Sequence, residues 1–361
     1  MNTTSRNIAL GLLALLVGCT TQTNNDITPS SKLNIDYPAA YVVNSESNSL
    51  SVIDLAKNEV RETISLGTPS SNDLTGMKMN DMVMWPNHIY LSADGNKLGV
   101  GVPGLDLSVG LSGVVAGMKG RVLVVNPKTG ELATNQQTPV INHNAVFSPD
   151  GTEIWTSQTI DAGKVLVYDA STMALKKTIE VGMEPTEVTM STNGKYAFVA
   201  NRKSNSVTAI RLSDKTVVKT IPVGATPMGA WPASNNRMYV NNQKGQTISV
   251  IDVDSLTVVD IIYLGFTPAY VAYNATRNEL WVSQIGTSVV AILEEMGGLW
   301  MYHNQVSTGL GAYAIVFSKD DKTAYITNRG AGTVSVMNVA ARNKINDVSV
   351  GKKPNGLVLK Y

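Results

Sequence analysis

The sequence predicts an all-β protein, a seven-bladed β-propeller built from four-stranded blades. A unit of three short strands and two polar turns at residues 41–67 recurs at 196–224, 239–265 and 325–351. An apolar strand that runs into a turn recurs at 85–95, 142–151, 185–194, 268–278 and 312–321. The glycines that close the repeats are 41 to 44 residues apart: Gly182, Gly224, Gly265, Gly309 and Gly351. This period, with four strands per unit, is typical of propeller blades.

The ring is predicted to close by pairing the two ends of the chain. Units end near residues 137, 182, 224, 265, 309 and 351, which makes six blades. Three strands at about 39–67 and one strand at 354–361 remain, and together they match one repeat. Their pairing completes a seventh blade and removes the open sheet edges. We therefore predict one propeller domain over residues 37–361, and we expect loss of the last strand to destabilise the whole ring.

The repeat resembles the YVTN β-propeller repeats of bacterial and archaeal surface-layer and secreted proteins. The pattern is Tyr-Val-x-Asn, then Ser-Val-x-x-Ile/Asp, then Val-Gly, and it stands in at least four blades. The resemblance covers about residues 37–361. It implies the fold and says little about activity, because propellers carry many unrelated functions.

The N-terminus predicts a lipid anchor. Residues 1–18 read as a signal peptide whose apolar run of ten, 8–17, is too short to span a bilayer as a mature helix. The Leu-Val-Gly-Cys segment that ends at Cys19 resembles a bacterial lipobox, which implies a diacylglycerol on that sulfur. Residues 19–36 then form the lipidated cysteine and a flexible tether. By resemblance to enteric lipoproteins, Thr20 implies the outer membrane of the cell envelope, on its periplasmic or surface face. The alternative is an ordinary secretory signal with a chance cysteine.

Composition and motifs exclude several classes of function. A formal net charge of +1 gives no general attraction to nucleic acid. A single cysteine permits neither an internal disulfide nor a cysteine-based zinc site. The sequence contains no nucleophile elbow, HExxH motif, phosphate-binding glycine loop or haem-attachment cysteine pair. An enzyme site assembled from scattered carboxylates stays open as an alternative.

One candidate site is a methionine-rich segment followed by two inner-strand histidines. Its predicted ligands are Met77, Met79, Met82, Met84, His88 and His143. Thioether sulfur selects Cu(I), so a copper site, and a periplasmic metal-handling or redox-associated propeller, is one hypothesis. The alternative is that the methionines pack a loop as flexible apolar filler and that the histidines satisfy backbone groups.

The second candidate site is the ring of residues just before each inner strand, which a propeller brings to one channel mouth. These residues include His88, His143, Glu184, Glu187, Met228 and Tyr270. They predict a pocket for a small ligand or metal, and the alternative is a solvated channel. We expect the basic pairs 202–203 and 352–353 to lie in solvated turns, and the repeated asparagines, such as Asn44, to cap turns through the backbone.

The repeat is broken at 68–84 and 101–120, and a polar-aromatic segment stands at 293–305. Long loops on a rigid scaffold commonly carry function. The sequence therefore favours a lipid-anchored extracytoplasmic propeller that binds a protein, peptide or glycan partner as a scaffold module. The copper hypothesis is the alternative.

Overall fold

The computed structural model of the protein describes residues 33–67, 83–110 and 117–361. Within these ranges 28 β-strands form seven four-stranded antiparallel sheets, and a short 3-10 helix spans Leu107–Val109. No helix in the described ranges is long and apolar enough to cross a membrane. The predicted signal peptide and Cys19 lie outside the described residues, so the lipid anchor stays a prediction.

Each blade runs from an inner strand at the channel to an exposed outer strand. Blade 1 contains β4 (Ile89–Leu91), β5 (Leu98–Val102), β6 (Arg121–Val125) and β7 (Leu132–Gln137). Blade 2 contains β8 (Val146–Phe147), β9 (Glu153–Gln158), β10 (Lys164–Asp169) and β11 (Leu175–Glu180). Blade 3 contains β12 (Pro185–Met190), β13 (Tyr196–Asn201), β14 (Ser206–Arg211) and β15 (Thr216–Pro222).

The remaining blades repeat this order around the ring. Blade 4 contains β16 (Pro227–Ala233), β17 (Arg237–Asn242), β18 (Thr247–Asp252) and β19 (Thr257–Tyr263). Blade 5 contains β20 (Pro268–Asn274), β21 (Glu279–Gln284), β22 (Val289–Met296) and β23 (Leu299–Ser307). Blade 6 contains β24 (Ala312–Phe317), β25 (Thr323–Asn328), β26 (Thr333–Asn338) and β27 (Asn343–Ser349).

The seventh blade joins the chain ends as predicted. It contains β28 (Pro354–Lys360), β1 (Ala39–Asn44), β2 (Ser49–Asp54) and β3 (Glu59–Ser65), in that order from the channel outward. Strands β28 and β1 are antiparallel, with Val42 opposite Leu357 and Ala40 opposite Leu359. These side chains pack with Tyr325 and other residues of blade 6 in one apolar cluster. The prediction of a seven-bladed ring closed by its termini is confirmed.

The repeated asparagines fix the spacing between neighbouring blades. Asn44 donates to Ser49 Oγ at 3.1 Å and to Ser51 Oγ at 2.9 Å. A Cβ built on Gly351 would lie 2.6 Å from the Asn44 side chain, so only glycine fits there. Three other blades repeat the pattern with Asn201, Asn242 and Asn328. The asparagines are structural, and their partners are side-chain hydroxyls rather than the backbone groups expected from the sequence.

Candidate functional site

Two cavities occupy the channel, one toward each end of the inner strands. The first, which we call the mouth cavity, has a volume of about 330 Å³. It is lined by the starts of inner strands and by turns that follow second strands, among them His143, Arg202, Met228, Tyr313, Arg329 and Lys353. The second, which we call the far cavity, has a volume of about 490 Å³. It is lined by the later residues of inner strands, including Tyr90, Phe147, Trp231, Tyr270 and Phe317.

A buried polar cluster, which we call the channel plug, lies between the two cavities. Its members are His88, Tyr90, His143, Glu187 and Tyr313. His143 and Tyr313 line the mouth cavity, whereas Tyr90 lines the far cavity. The plug therefore connects the two ends of the channel through hydrogen-bonded side chains.

Glu187 is the centre of the channel plug and has no exposed surface. Its Oε2 atom lies 2.7 Å from Nδ1 of His143 and 3.6 Å from Nε2 of His88. Its Oε1 atom accepts a hydrogen bond from the hydroxyl of Tyr90. The hydroxyl of Tyr313 lies 3.3 Å from the same Nε2 atom of His88. Three potential metal ligands, two imidazole nitrogens and one carboxylate oxygen, lie within 4.8 Å of one another.

Burial and hydrogen bonding set the protonation states in the plug. Burial lowers the pKa of His88 to about 4, so this imidazole is neutral at pH 7. Burial alone would raise the pKa of Glu187, but the two imidazoles and the Tyr90 hydroxyl favour the anion and hold it below its usual value. Burial raises the pKa of Tyr313 to about 12, which keeps this hydroxyl protonated. The plug thus contains a carboxylate next to two imidazoles and a tyrosine hydroxyl.

Close packing between inner strands holds the plug together. The His88 and His143 rings stack with centroids 5.2 Å apart. A Cβ built on Gly356 of β28 would lie 2.9 Å from Cα of His88, and one built on Gly101 would lie 2.5 Å from Cα of Asn144. These glycines allow the backbones to approach closely enough for side chains of neighbouring blades to meet on the channel axis.

The mouth cavity carries a positive rim. Lys353 Nζ lies 2.6 Å from one carboxylate oxygen of Asp106, and Arg329 lies 3.8 Å from the other. The Arg329 guanidinium also stacks over the ring of Tyr313 at 4.7 Å. Burial disfavours the Asp106 anion, but hydrogen bonds from Lys353 and Ser108 outweigh it, so the pKa of this carboxyl is lowered. Asp106 belongs to the segment at 101–120 that breaks the repeat, so the described part of this segment reaches the mouth.

Backbone strain recurs at the same rim. Positive φ angles of 48° to 59° occur at four residues that each directly precede a proline at the start of an inner-strand region: Trp85, Glu184, Thr226 and Lys353. This conformation is uncommon for residues other than glycine, and each instance costs about 1–3 kcal/mol. It places two charged side chains, those of Glu184 and Lys353, on the rim. Glu184 accepts a hydrogen bond from Arg202 at 2.6 Å.

The structure brings some of the predicted ligand-binding residues together and separates others. His143 and Met228 line the mouth cavity, and Glu184 lies at its rim through Arg202. His88 and Glu187 lie deeper, in the plug. Tyr270 lines the far cavity instead of the mouth, because its position in β20 is two residues past the strand start. A functional role for any of these residues stays a prediction.

Sequence reasoning missed the cations of the rim. Arg202 and Lys353 were expected in solvated turns, but both line the mouth cavity, with side chains 27% and 37% exposed. Both residues do lie in turns, as expected, but these turns line the channel mouth: Arg202 follows the second strand of blade 3, and Lys353 directly precedes the inner strand β28. The repeat could have predicted that two arginines occupy equivalent places in the ring, since Arg202 and Arg329 each directly follow a repeated asparagine.

The copper hypothesis receives no structural test from the methionine-rich segment. Met77, Met79 and Met82 lie outside the described residues, and Met84 is half-buried. The donors that the described residues bring together are nitrogen and oxygen atoms of His88, His143 and Glu187.

Comparisons with known proteins support the fold. A family model described as a YNCE-like beta-propeller matches residues 107–355. No curated protein matches the sequence. A functionally unknown protein from Desulfotomaculum acetoxidans is 12% identical, with a TM-score of 0.70 over 90% of this chain and 99% of that chain. The periplasmic gluconolactonase PpgL from Pseudomonas aeruginosa is 14% identical, with a TM-score of 0.69 over 90% of this chain and 99% of that chain. Hydrazine synthase from Kuenenia stuttgartiensis is 18% identical, with a TM-score of 0.63 over 79% of this chain and 92% of that chain. At these identities the similarity shows the propeller fold alone.

Proposed function

The chain belongs to the YNCE-like β-propeller family, and we propose that it is a binding protein that holds a small anionic molecule in the mouth cavity. The volume of about 330 Å³ lies at the lower end of the range of ligand pockets. A molecule the size of a sugar acid fits such a space. The ligand class that we propose is a small carboxylate or phosphate.

The observation that carries this proposal is the carboxylate of Asp106 at the rim. Lys353 donates to it at 2.6 Å, and Arg329 lies 3.8 Å away. A carboxylate of the chain thus already occupies the space next to both cations, and a ligand anion would join or replace it. Charge-assisted hydrogen bonds of this type are about twice as strong as neutral ones.

The charge around the cavity agrees with an anionic ligand. Arg202, Arg329 and Lys353 line it, and Glu184 and Asp106 pair with these cations at the rim, whereas the Glu187 carboxylate lies deeper, in the plug. Arg329 is held in place by its stacking on Tyr313. A guanidinium fixed in this way loses little entropy on binding a planar carboxylate.

Calorimetric titration of the purified protein with D-gluconate and 6-phosphogluconate tests the proposal, with D-glucose as the neutral probe. Arg329→Met should weaken binding of the two anions by about 10- to 150-fold, because a hydrogen bond to a charged group contributes about 1.5–3 kcal/mol. The matched control is Arg211→Met, which removes an exposed arginine that pairs with Asp214 at 2.9 Å. Equal affinity for glucose, or no effect of Arg329→Met on anion binding, would contradict the proposal.

A second candidate function is hydrolysis of a sugar lactone. Glu187 holds Nδ1 of His143 at 2.7 Å, and the same imidazole lines the mouth cavity beside Arg329. His143 would take a proton from water as the water attacks the lactone carbonyl, and would return the proton to the departing ring oxygen. The fold is shared with a gluconolactonase, which makes lactones the first substrates to test.

The anchor and the larger partner belong to the same proposal. Lipidation at Cys19 would hold the ring at the cell envelope, with the tether to residue 36 allowing it to stand off the membrane. A protein, peptide or glycan would then dock on the exposed faces of the ring. Copper bound by the methionine-rich segment is the alternative that the sequence left open, and sulfur ligation in metal-loaded protein would favour it.

A further inference from the structure

We propose that the channel plug is a divalent metal site of the zinc type, with His88, His143 and Glu187 as its protein ligands. This inference goes beyond the binding of an anion at the mouth and does not depend on it. The three ligands come from the inner-strand regions of blades 1, 2 and 3, so the site forms where these three neighbouring blades pack together.

The geometry of the three ligand atoms suits a small four-coordinate ion. Zinc binds imidazole nitrogen and carboxylate oxygen at about 2.0–2.2 Å, which places neighbouring ligands about 3.4 Å apart in a tetrahedron. The Oε2 atom of Glu187 lies 2.7 Å from Nδ1 of His143 and 3.6 Å from Nε2 of His88. Binding therefore requires the shorter contact to open by about 0.7 Å and the longer one to close by about 0.2 Å. An ion would take the place of the proton between His143 and Glu187.

The hydrogen bonds that other side chains make to these ligands also resemble those around a metal centre. Metal-binding carboxylates are themselves hydrogen-bonded, and such outer contacts orient the ligand. The Tyr90 hydroxyl donates to Oε1 of Glu187, which leaves Oε2 for the ion. Tyr313 stands 3.3 Å from the His88 nitrogen, where it can contact an ion-bound water. The three ligand side chains are 0% to 6% exposed.

The donor set selects the metal class. Two imidazoles and one carboxylate suit zinc and its neighbours cobalt and nickel, whereas magnesium and calcium prefer oxygen ligands alone. Three protein ligands leave a fourth position for water or substrate, which is the pattern of catalytic zinc sites. His143 and Tyr313 line the mouth cavity, so the site adjoins the space of the proposed ligand.

Metal titration of untagged, chelator-treated protein tests the inference with the ion alone. Zinc should bind with a stoichiometry of one per chain, and X-ray absorption should show nitrogen and oxygen neighbours at about 2.0–2.2 Å without a sulfur shell. Glu187→Gln and His143→Ala should each weaken zinc binding by about 100-fold or more. His303→Ala is the matched control, because His303 forms an exposed pair with Glu294 at 3.2 Å on the outer edge of blade 5.

Each outcome decides the question. Saturable zinc binding that survives His303→Ala and is lost in Glu187→Gln supports the site, provided that circular dichroism shows a folded variant. If Glu187→Gln fails to fold, the Co²⁺ visible spectrum of His88→Gln replaces it, and loss of the four-coordinate bands supports the site. Absence of zinc binding, or equal affinity in the wild type and the plug variants, overturns the inference. A sulfur shell overturns it in favour of the methionine-rich segment.

Discussion

Leu357→Ala should destabilise the whole ring, because the residue belongs to the strand that closes it. Leu357 is 5% exposed and packs with Val42 and with Tyr325 of blade 6. Truncation of a buried leucine to alanine costs about 2–5 kcal/mol, since it combines lost transfer free energy with a residual cavity. We expect the free energy of unfolding to fall by this amount.

The assay is urea unfolding followed by both tryptophan fluorescence and circular dichroism. Trp155 in blade 2 and Trp281 in blade 5 are fully buried and lie away from the closing blade. If closure stabilises the ring as a unit, both signals should shift together to lower urea. The control is Ile345→Ala on the exposed strand β27, where the side chain is 56% exposed and the change should stay within about 0.5 kcal/mol. A change below about 0.5 kcal/mol for Leu357→Ala, or a shift in only part of the signal, would refute the reasoning.

Two further predictions concern acid stability and catalysis. The carboxylate of Glu279 is fully buried and accepts hydrogen bonds from Trp281 at 2.8 Å and Arg342 at 2.7 Å. Burial opposes its ionisation, but these bonds lower its pKa. The stabilisation that this carboxylate contributes is therefore present above the unfolded pKa of about 4.3 and is lost as pH falls through the folded pKa. Glu279→Gln should lower the melting temperature at pH 7 and reduce the further fall of the melting temperature in acid. A melting temperature that falls equally with pH in the variant and the wild type would count against this. If the protein is a lactonase, His143→Ala should lower kcat/KM for D-glucono-δ-lactone by about 10²- to 10⁴-fold, and an unchanged rate, or no rate above that of buffer, would remove this candidate function.

The regular part of the fold could be predicted because its cause is local and repeated. Four second strands end in an asparagine that packs against the glycine closing the neighbouring repeat, and the contact of Asn44 with Gly351 repeats this arrangement across the joined chain ends. The pairing of β28 with β1 followed from counting strands, since an open ring would leave sheet edges unpaired. Both features depend on residues that repeat along the chain.

The site could be predicted only in part because its contacts are not local. His88 and His143 were expected at the same channel mouth, since they stand at the starts of neighbouring inner strands, and their rings do stack. Tyr313 is 225 residues from His88 in sequence, and no motif joins them. Arg329 and Lys353 look like ordinary turn residues until ring closure brings both to the same carboxylate of Asp106.

The most direct test of the proposed function is a crystal structure of the protein with D-gluconate or 6-phosphogluconate bound at saturation. We predict that the anionic group lies in the mouth cavity, within about 3 Å of Arg329 and Lys353. A ligand bound in the far cavity or on the outer surface, with the mouth cavity empty at saturation, would contradict the proposal.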